Sequence, residues 1–311
     1  MKQILLMLLL GTSLALTQGA HAKIALDYSN RKFNERELAQ QSDEYLAEVV
    51  ELDLSNNNLT DFPAVLHRIP NLEYLSLNSN LLESFEGIST LTNLKVLKLD
   101  KNQIDSFKDM PFLTNLEELG LDDNKIKSFE HMPTLTNLEF LSLDKNQIDS
   151  FKYMPTLTNL KVLSLDKNQI DSFKYMPALT NLEFLVLDDN KIKSFEHMPT
   201  LTNLEFLSLK NNLLESFEFM PALTNLKVLS LDKNQIDSFK YMPTLTNLEL
   251  LGLSNNLLES FEHMPVLTNL QRLRIAANRI SATILNAWKQ KHPGVRTELE
   301  QKLSIDRKVD R

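Results

Sequence analysis

The histidines His131, His197 and His263 are the first candidates for chemistry, because imidazole can serve as a base or a metal ligand near neutral pH. They recur at a constant step of 66 residues. If each 22-residue segment adds one strand, they stand roughly 14 Å apart at strand spacing and cannot share one metal ion. Serines such as Ser106, Ser150 and Ser172 recur in one frame, but no histidine recurs beside them. A nucleophile needs a base within hydrogen-bond reach, and a repeated segment supplies no unique set. The remaining histidines past residue 22, His67 and His292, lie in unrelated places. The chain has no cysteine, which excludes disulfides, thiol nucleophiles and thiolate metal sites. No catalytic residue, metal ligand or cofactor is implied. The chemistry on offer is that of binding, and it lies in files of residues recurring every 22 positions.

Those files sit in a segment that the chain repeats eleven times, of which Leu160–Asn181, LKVLSLDKNQIDSFKYMPTLTN, is a clean copy. A period of this length means stacked coils in place of one closed core. Each copy begins L-x-x-L-x-L-x-x-N-x-[IL]. Its L-x-L tripeptide predicts a short strand with Leu163 and Leu165 inward and Val162, Ser164 and Asp166 outward. The asparagine follows the strand, where the chain turns and leaves backbone groups unpaired. Asn57, Asn80, Asn102, Asn124, Asn146, Asn168, Asn190, Asn212, Asn234, Asn256 and Asn278 hold this place. A buried carboxamide both donates and accepts, so each is expected to pair backbone groups of its own coil and the next. Phenylalanines from Phe62 to Phe261 recur in the second half and predict an internal spine. Methionines from Met110 to Met264 follow as core filler, and the prolines behind them keep the return segment extended or in short 3₁₀ turns.

The motif resembles that of leucine-rich repeat proteins. The 22-residue period and TNLxxLxLxxNxI are similar to the short-repeat class that includes bacterial internalins and the SDS22-like phosphatase regulators. The Phe-x-x-Met-Pro return stands where internalins usually carry Ile-x-x-Leu. The resemblance implies an α/β fold, a right-handed leucine-rich-repeat solenoid with a parallel concave β-sheet, short 3₁₀ or extended convex segments and helical caps. It also implies a protein or peptide as partner.

With the core assigned, partner information must lie in the variable outward positions. From Phe140 through Val162, Phe184, Phe206 and Val228 to Leu250 the middle outward position is apolar, and Tyr74 precedes this stripe. Val186 adds to it from the next row. Six strands span about 24 Å, and a contiguous apolar patch of that size marks an interaction surface; shielding of the sheet, or copying along with the repeat, is the alternative. Arg272 and Arg274 close the face, either as a clamp for an acidic group or as the polar last rung. One row further lies a file of acids, Asp100, Asp122, Asp144, Asp166, Asp188 and Asp232. These read as a solvated edge, partly offset by Lys101, Lys145, Lys167 and Lys233, that would suit a basic, amphipathic partner.

The ends differ from the array. Residues 1–22 carry Lys2, the apolar run Ile4–Leu10 and Ala20-His21-Ala22, the pattern of a signal peptide cleaved after Ala22, and predict export to the periplasm or beyond. No integral membrane segment is expected in the mature chain. Residues 23–48 read as an N-terminal cap, a short amphipathic helical piece capped at Asn34 with Leu38, Tyr45 and Leu46 on one face. Repeats occupy residues 49–280. Residues 281–311 read as a helix capped by Ser281, sealed by Trp288 and followed by a charged, partly disordered tail from Arg296. The net charge of −8 argues against nucleic acid as a partner. The expectation is an exported binding module for a protein or peptide, a host-interaction factor if it leaves the bacterial cell. The alternative is a structural or envelope-assembly scaffold with no groove ligand.

Overall fold

An L-x-L tripeptide can bury its leucines on one face only, so each repeat supplies one short strand and must stack on its neighbours to be stable. In the computed structural model, which describes residues 23–298, thirteen parallel strands follow in sequence order across one sheet. The expected signal peptide and the tail beyond Glu298 lie outside the described residues. The edge strand is β1 (Ile24–Asp27). The repeats supply β2 (Val49–Asp53), β3 (Tyr74–Ser76), β4 (Val96–Lys98), β5 (Glu118–Gly120), β6 (Phe140–Ser142) and β7 (Val162–Ser164). They continue with β8 (Phe184–Val186), β9 (Phe206–Ser208), β10 (Val228–Ser230), β11 (Leu250–Gly252) and β12 (Arg272–Arg274), before the final β13 (Arg296–Glu298). Register is one-for-one, so Phe140 lies beside Val162, Val162 beside Phe184 and Phe184 beside Phe206. In the coil of β7, Leu163, Leu165, Ile170 and Phe173 are fully buried.

Three side-chain ladders tie coil to coil. The first is the buried asparagine ladder. Asn168 Nδ2 donates to the carbonyls of Leu143 (2.9 Å) and Leu165 (3.1 Å), while its Oδ1 accepts the N–H of Ile148 (3.0 Å). At the first rung, Asn57 Oδ1 instead accepts from Phe33 N–H (2.8 Å) and so ties down the N-terminal cap. The second ladder is made by the asparagine just before each strand's leading leucine, where Asn159 donates to Thr136 O (2.9 Å) and Asn181 to Thr158 O (2.8 Å). The third runs through the aspartates and belongs to the functional face below.

The phenylalanine spine sets the curvature. From Phe85 to Phe195 consecutive rings stack with centroids 6.2–6.5 Å apart and planes within about 10°. Strands in a sheet are spaced about 4.8 Å. The coils therefore splay on the return side, which puts the sheet on the concave curve. Met110 through Met242 fill the gaps as buried side chains, and Met264 is half-buried near the open end.

Nine successive repeats, from the coil of Gly87 to that of His263, pass through the left-handed region twice. The first place is the residue before each buried asparagine, such as Lys167 at φ 55°. The second is two residues after the spine phenylalanine. There Met176 N–H donates to Phe173 O (3.0 Å), with Tyr175 at φ 69°. An i→i+3 bond with positive φ only at the third residue defines a type II turn, which favours Gly or Asn. Gly87 (φ 99°) and Asp109 (φ 62°) fill this place in two early coils, and rings fill it in the seven that follow. A side chain there costs about 1–2 kcal/mol.

Both ends depart from expectation. The N-terminal cap is a strand followed by two helices, α1 (Glu35–Ala39) and α2 (Asp43–Ala47), where one helical piece was expected. Ser42 Oγ accepts Tyr45 N–H (3.2 Å) and starts the second helix at its own cap. Leu38 and Leu46 are still buried and Tyr45 packs against the core. At the other end α3 (Ala282–Lys291) places Trp288 over the last spine ring, 4.8 Å from Phe261. Arg296–Glu298, expected to begin a loose tail, instead pairs with β12. The unpaired backbone edge of β12 supplies a partner that the apolar pattern of the sequence does not encode.

Candidate functional site

One-for-one register brings Phe140, Val162, Phe184, Phe206, Val228 and Leu250 into one row on the concave face. Neighbours shield one another, so the first five are half-buried and Leu250 is buried. Phe184 and Phe206 stack at 6.0 Å. Val186 is half-buried in the adjoining row, and Tyr74 lies half-buried three strands before Phe140, beyond Val96 and Glu118. The ammonium of Lys98 sits 5.5 Å from the ring centroid of Phe140 and also pairs with Glu118, so charge begins where the stripe ends. At the far end Arg272 is exposed. Arg274 is held by Glu298 (Nε–Oε2 3.0 Å) and stands 4.0 Å from Asp232. It is a rung joined to the final strand, while Arg272 keeps its side chain toward solvent.

The aspartate file is not the solvated edge that the sequence suggested. Coil stacking lays five of the six carboxylates on a backbone N–H of the next coil. Asp122 Oδ1 accepts Asp144 N–H (2.8 Å) and the Ser142 hydroxyl (2.5 Å). Asp144 Oδ1 accepts Asp166 N–H (2.7 Å) and the Ser164 hydroxyl (2.6 Å). Asp188 repeats the pattern with Lys210 N–H and Ser208, Asp100 accepts Asp122 N–H, and Asp232 accepts Ser254 N–H. Burial pushes Asp100, Asp122, Asp188 and Asp232 above the usual carboxylate range. Asp144 is pushed up to about 7, by burial first and by the neighbouring Asp122 charge second.

Two departures from the ladder each leave a buried oxygen without a partner. Val186 stands where a serine would reach Asp166 Oδ1, and Lys210 stands where an aspartate would receive the Ser230 hydroxyl; Asp166 Oδ1 and Ser230 Oγ are the two buried side-chain atoms without a partner among the described residues. Val186→Ser is therefore expected to raise stability by about 1 kcal/mol, the net worth of a recovered hydrogen bond. The urea midpoint of unfolding measures it; an unchanged or lowered midpoint would show that the lost valine surface outweighs the bond.

His131, His197 and His263 are exposed, each beside the preceding glutamate at 3.5–4.0 Å. Among the described residues no group of three or more His, Asp or Glu side chains could hold a metal ion. No described helix is long and apolar enough to cross a membrane. Two features escaped the sequence reading. One is the second asparagine ladder, whose signal was the constant Thr-Asn before each leading leucine. The other is a file of exposed aromatic residues on the return side, signalled by the variable residue before each Met-Pro.

A solenoid of 22-residue coils with one parallel sheet and little helix defines a class, and comparison with known proteins places the chain in it. The family described as "Leucine Rich repeats (2 copies)" matches residues 48–90, 70–113, 114–157 and 202–243. The chain is a leucine-rich repeat protein with repeats of about 22 residues. It is similar to a chain of the octameric complex of Latrophilin 3, Unc5D and FLRT2 (LRR), with 27% identity, TM-score 0.66, and 81% of this chain and 84% of that one covered. It is also similar to internalin C2 of Listeria monocytogenes (28% identity, TM-score 0.57, 61% and 84% covered). An inlF internalin of the same organism shares the fold at 24% identity and TM-score 0.54, with 85% and 92% covered. No curated protein matches the chain. Leucine-rich repeat domains are typically protein-binding modules and usually not enzymes.

Proposed function

We propose that this protein is an exported, non-catalytic module that holds a protein or peptide against its concave face. The observation that carries this reading is the six-coil apolar row from Phe140 to Leu250. Its first five side chains are half-open to solvent, on the inner curve of the sheet, and it is bounded by the charged pair Lys98–Glu118 and by Arg272. Aromatic side chains at the centre of a patch with charges at its rim are the usual composition of a protein interface. Export rests on the signal-peptide pattern of residues 1–22. Likeness to internalins, together with export, favours a role outside the bacterial cell as a host-interaction factor.

The test is a comparison of wild type with a Phe140/Phe184/Phe206→Ser variant shown to be folded by its thermal transition. A partner recovered on wild type from envelope extract or host-cell lysate should bind the variant at least about a hundredfold more weakly, since two lost hot-spot contacts of about 1.4 kcal/mol each give that factor. Equal affinity would remove the row from the binding surface and favour a scaffold whose contacts lie elsewhere.

A further inference from the structure

We infer that the return side carries a second, independent binding surface, a file of exposed aromatic rings built to stack against a neutral polysaccharide chain. In seven consecutive repeats the third residue of the type II turn is aromatic. Tyr153, Tyr175, Phe219 and Tyr241 are 56–62% exposed. The side chains of His131, His197 and His263 are 57–63% exposed. All seven have φ between 62° and 69°. Each turn is closed by a Met N–H bond to the spine phenylalanine carbonyl, 2.9–3.2 Å long.

Local stability does not explain these residues. Glycine fits the turn, as Gly87 does in an earlier coil, and Asn tolerates it better than a ring. At the other left-handed place of each repeat the chain uses only Asn, Ser, Lys, Asp or Ala. The rings bury little surface in the protein, so neither backbone preference nor core packing accounts for them. Backbone strain retained at an exposed, repeated position points to a role in function.

The neighbouring residues select the occupant. Each ring follows a charged residue, three lysines and four glutamates across the seven turns. The ammonium groups of Lys152, Lys174 and Lys240 lie 4.6–5.0 Å from the centroids of the tyrosines beside them. A lysine or glutamate beside every ring is a composition depleted at the centre of protein interfaces. A file with almost no net charge gives no neutralisation of phosphates, which a nucleic acid requires. A glycan chain fits both features. Each pyranose presents an apolar C–H face to a ring and a rim of hydroxyls to a lysine, glutamate, imidazole or phenol. The ligand, like the file, is built of one unit repeated along its length. Weak contacts repeated in this way add through effective concentration, so binding should strengthen steeply with chain length.

The test is retardation in native gels cast with hydroxyethylcellulose, laminarin or glycol chitin, with chondroitin sulfate as an anionic control. Wild type should be retarded by at least one neutral polymer. A Tyr153/Tyr175/Tyr241→Asn variant should lose that retardation while its Tm rises by several degrees, because asparagine suits the turn; a structural role for the rings would lower Tm instead. The Phe140/Phe184/Phe206→Ser variant should run as wild type does, which separates this surface from the concave one. Absence of retardation in all three neutral gels, retardation by chondroitin sulfate alone, or equal retardation of wild type and the asparagine variant would overturn the proposal.

Discussion

Asn168→Ala is expected to destabilise the protein by about 2–4 kcal/mol, a large share of the stability of a folded chain. The carbonyls of Leu143 and Leu165 each receive two carboxamide donors, one from their own coil's asparagine and one from the next coil's. Losing Asn168 leaves each with one. The N–H of Ile148 is less fortunate, since Asn168 Oδ1 is its partner and the group is buried. An orphaned buried donor costs about 1–3 kcal/mol, and the vacated carboxamide volume adds a cavity. Asn168→Asp should be worse, despite its matching shape. It keeps an acceptor for Ile148 but sets a buried carboxylate against two carbonyl oxygens. Urea denaturation should show lower midpoints in the order wild type, Ala, Asp. A reduced m-value would show that the array has begun to open in two parts. An alanine variant within 1 kcal/mol of wild type would show that the coils are held by apolar stacking alone.

Stability should fall as pH rises from about 4 to about 7 and level off above. The cause is the aspartate ladder. In the unfolded chain these carboxyls titrate near 3.9. Burial raises their affinity for protons in the folded protein, and Asp144 is raised to about 7. Between those values the folded state holds more protons than the unfolded one, so adding base favours unfolding. At about 1.4 kcal/mol per tenfold change, Asp144 alone sets an upper bound of about 4 kcal/mol, and its remaining solvent contact brings the expected effect to about 1–3 kcal/mol. The chain already contains the remedy, because Asn78 Oδ1 accepts Asp100 N–H (2.7 Å) in the same role without a charge. Asp144→Asn should therefore raise Tm at pH 8, change it little at pH 5, and flatten the profile between them. A wild-type Tm that is higher at pH 8 than at pH 5 would refute the assignment.

The same two residues mark what the sequence made legible. Asn168 could be read in advance, because an asparagine at a fixed offset from buried leucines has one task wherever a chain leaves a strand. Phe173 was legible for the same reason, since a ring recurring at one core position of successive coils meets its neighbours, here Phe151 and Phe195. Asp144 was misread. Its own segment places it at a polar strand end, and only the register with the next coil carries its oxygen over Asp166 N–H and the Ser164 hydroxyl. The signal existed as a pairing at distance, with serine twenty residues after aspartate at Ser142, Ser164 and Ser208. The turn aromatics were equally hidden. Tyr175 in FKYMP looks ordinary until its φ is known, and the lone Gly87 at that place was the clue. The strand at Arg296–Glu298 left no trace, since its partner is a free backbone edge.

The difference between the strand spacing and the spine spacing has one more consequence. Each coil is a wedge of nearly constant angle, so duplication lengthens the arc of the protein without changing its radius. The recurrence of the histidines every three coils suggests that the chain grew in such blocks. Growth of that kind alters how long a ligand the inner curve can follow and leaves untouched how sharply that ligand must bend. A family of such proteins would sort its partners by length, as rulers of different reach cut to one curvature.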